Sequence, residues 1–213
     1  MCREITYKQR VKESLSAAES YSKRKVKRHN AEMKLVGKGI QLLEDVSSVL
    51  DVPCGAGRAT IMLAQAGFKA TGADLGSGAV DVAKQAVAEA NVIAKIDKAD
   101  IENLFYEDNS FDAVLCFRMF HHFPSDEIRS RVISELCRVT DKYVIISYLS
   151  PFAATTIRRK LAYQFTGKKF IQHATSLKVL KRYFREHNFE LIQDFAEMPF
   201  FHTLHLAVFR KKS

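Results

Sequence analysis

The chain has 213 residues and a net charge of +9, with 33 Lys and Arg against 24 Asp and Glu. That length suits one well-buried domain and does not call for a second, and the longest apolar runs, such as 143–149, fall far short of the ~20 residues that span a bilayer. Cys2, Cys54, Cys116 and Cys137 form no C-x-x-C pair and no metal-ligand spacing, and no apolar leader opens the chain, so a reduced, cytoplasmic protein without a metal site is predicted.

From the start of the chain, residues 15–43 predict one or two helices: Leu15, Ala18, Tyr21, Val26, Met33, Val36, Ile40 and Leu43 recur at near-helical spacing, and Gly37 and Gly39 mark a break. Strand signals follow at 48–52, 68–73, 92–97, 111–117 and 142–149. Helix signals alternate with them at 57–66, 77–90 and 125–138, with Ser77 and Ser125 as expected N-caps. After Pro151 the pattern lapses for some twenty residues, the usual mark of a lid or binding loop, before Ser176 opens another helix. Strands at 189–197 and 203–210, joined by a turn containing Pro199, close the chain as a hairpin. The alternation predicts an α/β fold with a doubly wound, mainly parallel sheet.

The most informative stretch is 49–74, VLDVPCGAGRATIMLAQAGFKATGAD. A strand ends on Asp51, glycines follow at Gly55 and Gly57, and a second strand ends on Asp74. Glycines let backbone approach a ligand at the strand-to-helix turn, and an acid about 20 positions on can hold two ribose hydroxyls. A dinucleotide turn wants Gly or Ala where this chain has the bulkier Thr60. Asp51 would repel a pyrophosphate but suits the ammonium of an amino-acid-bearing nucleoside, which points to S-adenosylmethionine (SAM).

On these residues the chain resembles the class I SAM-dependent methyltransferases, in particular the small-molecule branch called type 11. Asp51–Arg58 looks like the family's glycine motif, Asp74 like its ribose-binding acid, Asp100-Ile101 like its adenine-flanking pair, and 111–123 (FDAVLCFRMFHHF) like its fourth strand and following loop. Pro53 stands where many members have the first Gly, and Thr140-Asp141 replaces a Pro-Gly-Gly turn before strand five. The resemblance implies a Rossmann-like sheet of seven strands with a C-terminal antiparallel hairpin. It divides the chain into a basic helical cap (1–44), a SAM-binding core (45–150), a basic lid (151–174) and a final helix and hairpin (175–213). It also implies that Asp51, Cys54, Gly55, Gly57, Asp74, Leu75, Asp100, Ile101 and Phe117 bind the cofactor.

Each of these residues has an ordinary reading as well. Gly55 and Gly57 alone would be turn glycines, Asp100 a cap for the loop before Asn103, and Cys54 and Cys116 small buried residues. His121 and His122 follow the fourth strand at the sheet's ligand edge, where an imidazole can take a proton from an acceptor. Loop packing is the alternative. Consecutive residues of an extended loop would point opposite ways, so at most one of the two acts on the acceptor.

Charge names the acceptor class. Residues 1–34 carry ten basic and four acidic residues, 35–150 eleven and sixteen, and 151–213 twelve and four. The basic flanks, represented by Tyr21, Arg158 and Arg159, are expected to face one cleft and to bind a small or lipid-linked anionic acceptor. An RNA methyltransferase and a non-catalytic SAM-binding protein remain as alternatives. No recognisable RNA-binding module supports the first.

Overall fold

The computed structural model describes residues 26–152, 173–196 and 204–212. Helix α1 (Val26–Ile40) is followed by β1 (Ser48–Asp51), α2 (Arg58–Gln65), β2 (Lys69–Asp74), α3 (Ser77–Glu89), β3 (Ala94–Lys98) and β4 (Phe111–Cys116). Then come a 3-10 turn (Phe120–His122), α4 (Asp126–Arg138), β5 (Thr140–Leu149), α5 (Leu177–Arg185), β6 (Phe189–Ala196) and β7 (Leu204–Lys211). Tyr21, Arg158, Arg159 and the Pro199 turn lie outside the described residues, as does most of the expected lid.

The strands form one sheet in the order β3-β2-β1-β4-β5-β7-β6. Strands β3, β2, β1, β4 and β5 run parallel, and β7 is antiparallel to both β5 and β6. The chain therefore leaves β1 in one direction for β2 and β3, then returns to its other side at β4. Ligands of such sheets collect at that reversal, outside the carboxyl ends of the strands.

Burial on both faces explains the near-continuous apolar runs of β4 and β5. Leu50, Val114, Val144 and Ile146 pack on one face with Val132, Leu136, Leu180 and Phe184 of α4 and α5. Val49, Leu115, Ile145 and Leu206 pack on the other with Leu35 and Val36 of α1 and Leu63 of α2. Each such fully buried side chain contributes about 1.5–3 kcal/mol.

Several local expectations are sharpened. Helix α1 does not break at Gly37 and Gly39 but runs through both. A Cβ on Gly39 would stand 2.9 Å from Cδ2 of Leu206 and 3.2 Å from Cγ2 of Ile145, so this glycine lets the helix lie close on β5 and β7. The Ser125 hydroxyl accepts from the Ile128 amide at 3.4 Å and that of Ser176 from the Val179 amide at 3.3 Å, both as N-caps. Gly76, not Ser77, caps α3, and the Ser77 hydroxyl instead accepts from Nζ of Lys98 at 2.8 Å. Strand β5 begins at Thr140, whose hydroxyl donates to the Leu136 carbonyl at 2.6 Å and joins strand to preceding helix. No helix among the described residues is long and apolar enough to cross a membrane.

Candidate active site

The turn after β1 is fastened to both neighbouring strands. The Val52 amide donates to the Leu115 carbonyl at 2.9 Å and the Cys54 amide to that of Ala73 at 2.8 Å. Gly55 (φ 57°) and Gly57 (φ 76°) take left-handed conformations that L side chains rarely adopt, and these two residues turn the chain into α2. Beneath the turn, a Cβ on Gly72 of β2 would lie 2.7 Å from Oγ1 of Thr60, 2.8 Å from Cδ1 of Ile96 and 3.1 Å from Cβ of Cys54. Gly72→Ala should therefore destabilise the protein by about 1–3 kcal/mol through overpacking. An unchanged thermal midpoint would show that these neighbours give way.

Two carboxyl groups flank the turn in different surroundings. Asp74 is 8% exposed, and its Oδ2 accepts from the Gly55 amide at 3.0 Å and its Oδ1 from the Gly76 amide at 2.9 Å. A carboxylate oxygen has two lone pairs, so a group held by two backbone amides can also take part in bonds from hydroxyls. Asp51 is 1% exposed, and its Oδ2 accepts from the Thr60 hydroxyl at 2.7 Å. Burial pushes its carboxyl up to about 7, against the pull of the Thr60 hydrogen bond and, more weakly, of Arg58. Thr60 enters the sequence argument only as a residue too large for a dinucleotide turn. In the fold it holds Asp51. Burial, with Asp51 and Asp74 nearby, pushes the Cys54 thiol up, so it stays neutral and is no nucleophile.

Asp51, Cys54, Gly55, Arg58, Phe117 and Met33 line one cleft at the carboxyl edge. Met33 brings α1 into the site, and the preceding residue fixes it there. Glu32, 1% exposed, accepts from Nη1 of Arg118 at 2.7 Å and stands 3.8 Å from Nη2 of Arg58. Arg118 itself sits at φ 60° with its amide donating to the Ser147 hydroxyl at 2.6 Å. An acidic group and a guanidinium, Asp51 and Arg58, thus line the same cleft, as the ammonium and carboxylate of an amino-acid group require. With Asp74 bonded to Gly55 next to them, the residues present fit a nucleoside that carries an amino acid. Sequence reasoning gave no role to Glu32, Arg58 or Arg118, because their pairing spans 86 positions between Glu32 and Arg118 and no local motif marks it.

The remaining sites expected to bind the cofactor fall around this centre. Leu75 follows Asp74 and is partly buried. The Ala99 amide donates to the Asp74 carbonyl at 3.0 Å and so carries Asp100 to the tip of β2. Oδ1 of Asp100 accepts from the Glu102 amide at 3.1 Å, the local turn that the ordinary reading describes. Ile101 is buried with Leu104 in the core.

The histidines occupy a 3-10 turn, not an extended loop, and their rings lie 4.3 Å apart instead of pointing away from each other. His121 is 1% exposed, its carbonyl accepts from the His173 amide at 2.8 Å, and neither ring nitrogen has a hydrogen-bond partner. Burial, reinforced by His122, Arg118 and His173, pushes its pKa down to about 2, so the ring is neutral. His122 is only partly buried.

Residues 49–142 match the model of a family described as methyltransferase domain. Over 119 residues the chain is 29% identical to the magnesium-protoporphyrin O-methyltransferase of Synechocystis sp. (strain ATCC 27184 / PCC 6803 / Kazusa), a match covering 56% of this chain and 51% of that protein. It is 35% identical over 91 residues to the ubiquinone biosynthesis O-methyltransferase of Nitrosospira multiformis, covering 42% of this chain and 38% of the relative. The chain thus spans about half or less of these curated relatives. The crystal structure of magnesium protoporphyrin IX methyltransferase from Synechocystis PCC 6803 with bound SAH superposes with a TM-score of 0.70 at 20% identity, covering 93% of this chain and 83% of that one. The seven-stranded sheet with its antiparallel final pair agrees with that fold, and residues 49–142 within it match a methyltransferase domain.

Proposed function

We propose that the chain binds SAM and transfers its methyl group to an oxygen or nitrogen of a small or lipid-linked, anionic acceptor. The observation that carries the reading is the single cleft in which Asp51, Gly55, Arg58 and Phe117 meet, with the Asp74 carboxylate tied to the Gly55 amide. Asp74 would accept from the ribose hydroxyls, Asp51 would face the ammonium and Arg58 the carboxylate, while Leu75, Asp100 and Ile101 border the base. When bound, SAM supplies an electrophilic methyl whose bond to sulfur breaks, the electron pair going to sulfur, as the acceptor's lone pair bonds to carbon.

The chain's own contribution is chiefly to hold the acceptor in line. Such orientation can supply ~7–11 kcal/mol, against a factor of ~10² to 10⁴ from a general base. Of the two histidines proposed for the acceptor side, His121 is buried and neutral, which leaves His122 as the ring that an acceptor can touch. Arg158 and Arg159, with Tyr21 at the head of the basic run 21–28, would supply the expected rim. The relatives named as O-methyltransferases favour oxygen as the atom methylated. A reducing compartment, the cytoplasm, suits Cys54, Cys116 and Cys137, all buried as free thiols.

Calorimetry tests the reading. Asp74→Ala should weaken SAM binding by tenfold or more, since each hydrogen bond to a charged acceptor is worth about 1.5–3 kcal/mol. Unchanged affinity in that variant, or tight binding of NAD in place of SAM, would overturn it.

A further inference from the structure

Three neighbouring strands bring a second set of polar groups to the same edge of the sheet. Strands β5 and β6 end there and β7, antiparallel to both, begins there, so Tyr148, Asp194 and His205 meet near the ends of their strands. Tyr148 pairs directly with His205 in the ladder, and their rings are 5.2 Å apart. Nδ1 of His205 lies 2.8 Å from Oδ2 of Asp194, and the Tyr148 hydroxyl donates to Oδ1 of the same carboxylate at 3.1 Å. The hydroxyl is also 3.4 Å from Nδ1. Tyr148 is 1% exposed, whereas the side chains of His205 and Asp194 are 18% and 19% exposed.

This arrangement selects one tautomer of the neutral imidazole. In the neutral ring the nitrogen facing a carboxylate carries the proton, so Nδ1 is the donor and Nε2 holds the lone pair. Both oxygens of Asp194 are engaged, which prevents the carboxylate from turning away from the ring. Burial and Asp194 push the Tyr148 hydroxyl up, so it remains a donor. An imidazole in a set tautomer, backed by a carboxylate, is the arrangement that accepts a proton and stabilises the resulting imidazolium. The order β4-β5-β7 places it two strands from β4, about 10 Å along the edge from the strand that leads to Phe117 of the cleft.

We propose that Nε2 of His205 accepts the proton of an acidic hydroxyl, a phenol or enol, on the methyl acceptor, and that Asp194 and Tyr148 are positioning residues for it. The inference rests on the methyltransferase reading above and names the acceptor's chemistry. As the O–H bond breaks, its electron pair stays on oxygen, which bonds to the incoming methyl, and the proton passes to Nε2. The charge of the imidazolium is then met by Asp194. A phenol, which ionises near 10, gives up its proton to such a base more readily than an aliphatic alcohol does. A carboxylic acceptor is already ionised at neutral pH and would have no need of it.

The test uses the full chain, labelled with ¹⁵N-histidine and loaded with SAH, and catechol as the probe. Catechol should move the His205 Nε2 resonance towards that of a hydrogen-bonded nitrogen, while anisole, which lacks the acidic hydrogen, should not. Asp194→Asn should turn the ring over to the tautomer protonated at Nε2, abolish the catechol shift and weaken catechol binding about tenfold. His205→Gln should weaken it comparably with SAH affinity within twofold of wild type. An Nε2 signal that catechol leaves in place, or that anisole moves equally, overturns the inference while leaving the methyltransferase reading intact. Failure of SAH to bind the wild-type chain overturns that reading and the inference with it.

Discussion

Replacing Asp51 by Asn is expected to make the ligand-free protein more stable and to cut its affinity for SAM by ten- to a hundredfold. Both effects come from one buried carboxyl. In the folded state it ionises near 7, against 3.8 for the ordinary group, because burial disfavours its charge more than Thr60 and Arg58 favour it. The folded protein therefore holds this proton more tightly than the unfolded chain does. Below pH ~4 both states are protonated and the residue's stabilising contribution is fully present. It is lost as pH rises to about 7 and stays lost above that. Asn carries no charge to bury and can still accept from the Thr60 hydroxyl, so above pH 7 the variant should gain on the order of 2–4 kcal/mol.

Ligand binding has the opposite sign. An ammonium beside Asp51 favours the ionised form, so SAM affinity should rise as pH increases towards 7 and level off above it, by up to tenfold per pH unit on the rising limb. Asp51→Asn should flatten that profile. Calorimetry at pH 5.5 and 7.5, with thermal denaturation of the ligand-free protein, reads both quantities. A variant that binds SAM as the wild type does, with the same pH dependence, would remove Asp51 from the site.

The second large effect is expected at Glu32. Its carboxylate is all but inaccessible and serves the Arg118 guanidinium, with Arg58 nearby, and these two side chains are 12% and 16% exposed. Glu32→Ala would leave their charges inside the protein without that partner. Breaking a buried pair in this way costs about 3–5 kcal/mol, and the partial access of water to both arginines brings the expectation to about 2–4 kcal/mol. Glu32→Gln, which keeps the shape and one acceptor, should lose about half as much. Urea denaturation measures both. Because Met33 and Arg58 line the cleft, SAM affinity should fall together with stability. A Glu32→Ala protein with the wild-type midpoint would show that α1 is held to the sheet by its apolar face alone.

What was legible in the sequence was whatever short stretches encode. Apolar runs and their alternation with amphipathic segments marked the sheet from β1 to β5, and the spacing of Asp51, Gly55, Gly57 and Asp74 marked the glycine turn, because strand, turn and helix there are consecutive. The pair of strands near the end was legible for the same reason. What was not legible depends on where distant segments meet. Glu32 and Arg118 lie 86 positions apart and neither carries a role in the sequence reading, while Thr60 read only as a steric objection. Gly37 and Gly39 read as a helix break because their close neighbours, Met62, Ile145 and Leu206, belong to other parts of the chain. His121 looked as available as His122 because sequence carries no measure of burial. Tyr148, Asp194 and His205 come from three strands and share no motif.

Strand β7 carries a consequence for synthesis of the protein. It lies between β5 and β6, so when β6 leaves the ribosome neither strand has its partner. Until residues 204–211 emerge, the nascent chain presents the bare edge of β5, whose run Val144–Ile146 is fully apolar. An apolar strand with open backbone donors and acceptors is a template for pairing with other chains. The interval between translation of β5 and of β7 is thus the period in which a chaperone has something to protect, and slow codons placed there would lengthen the exposure.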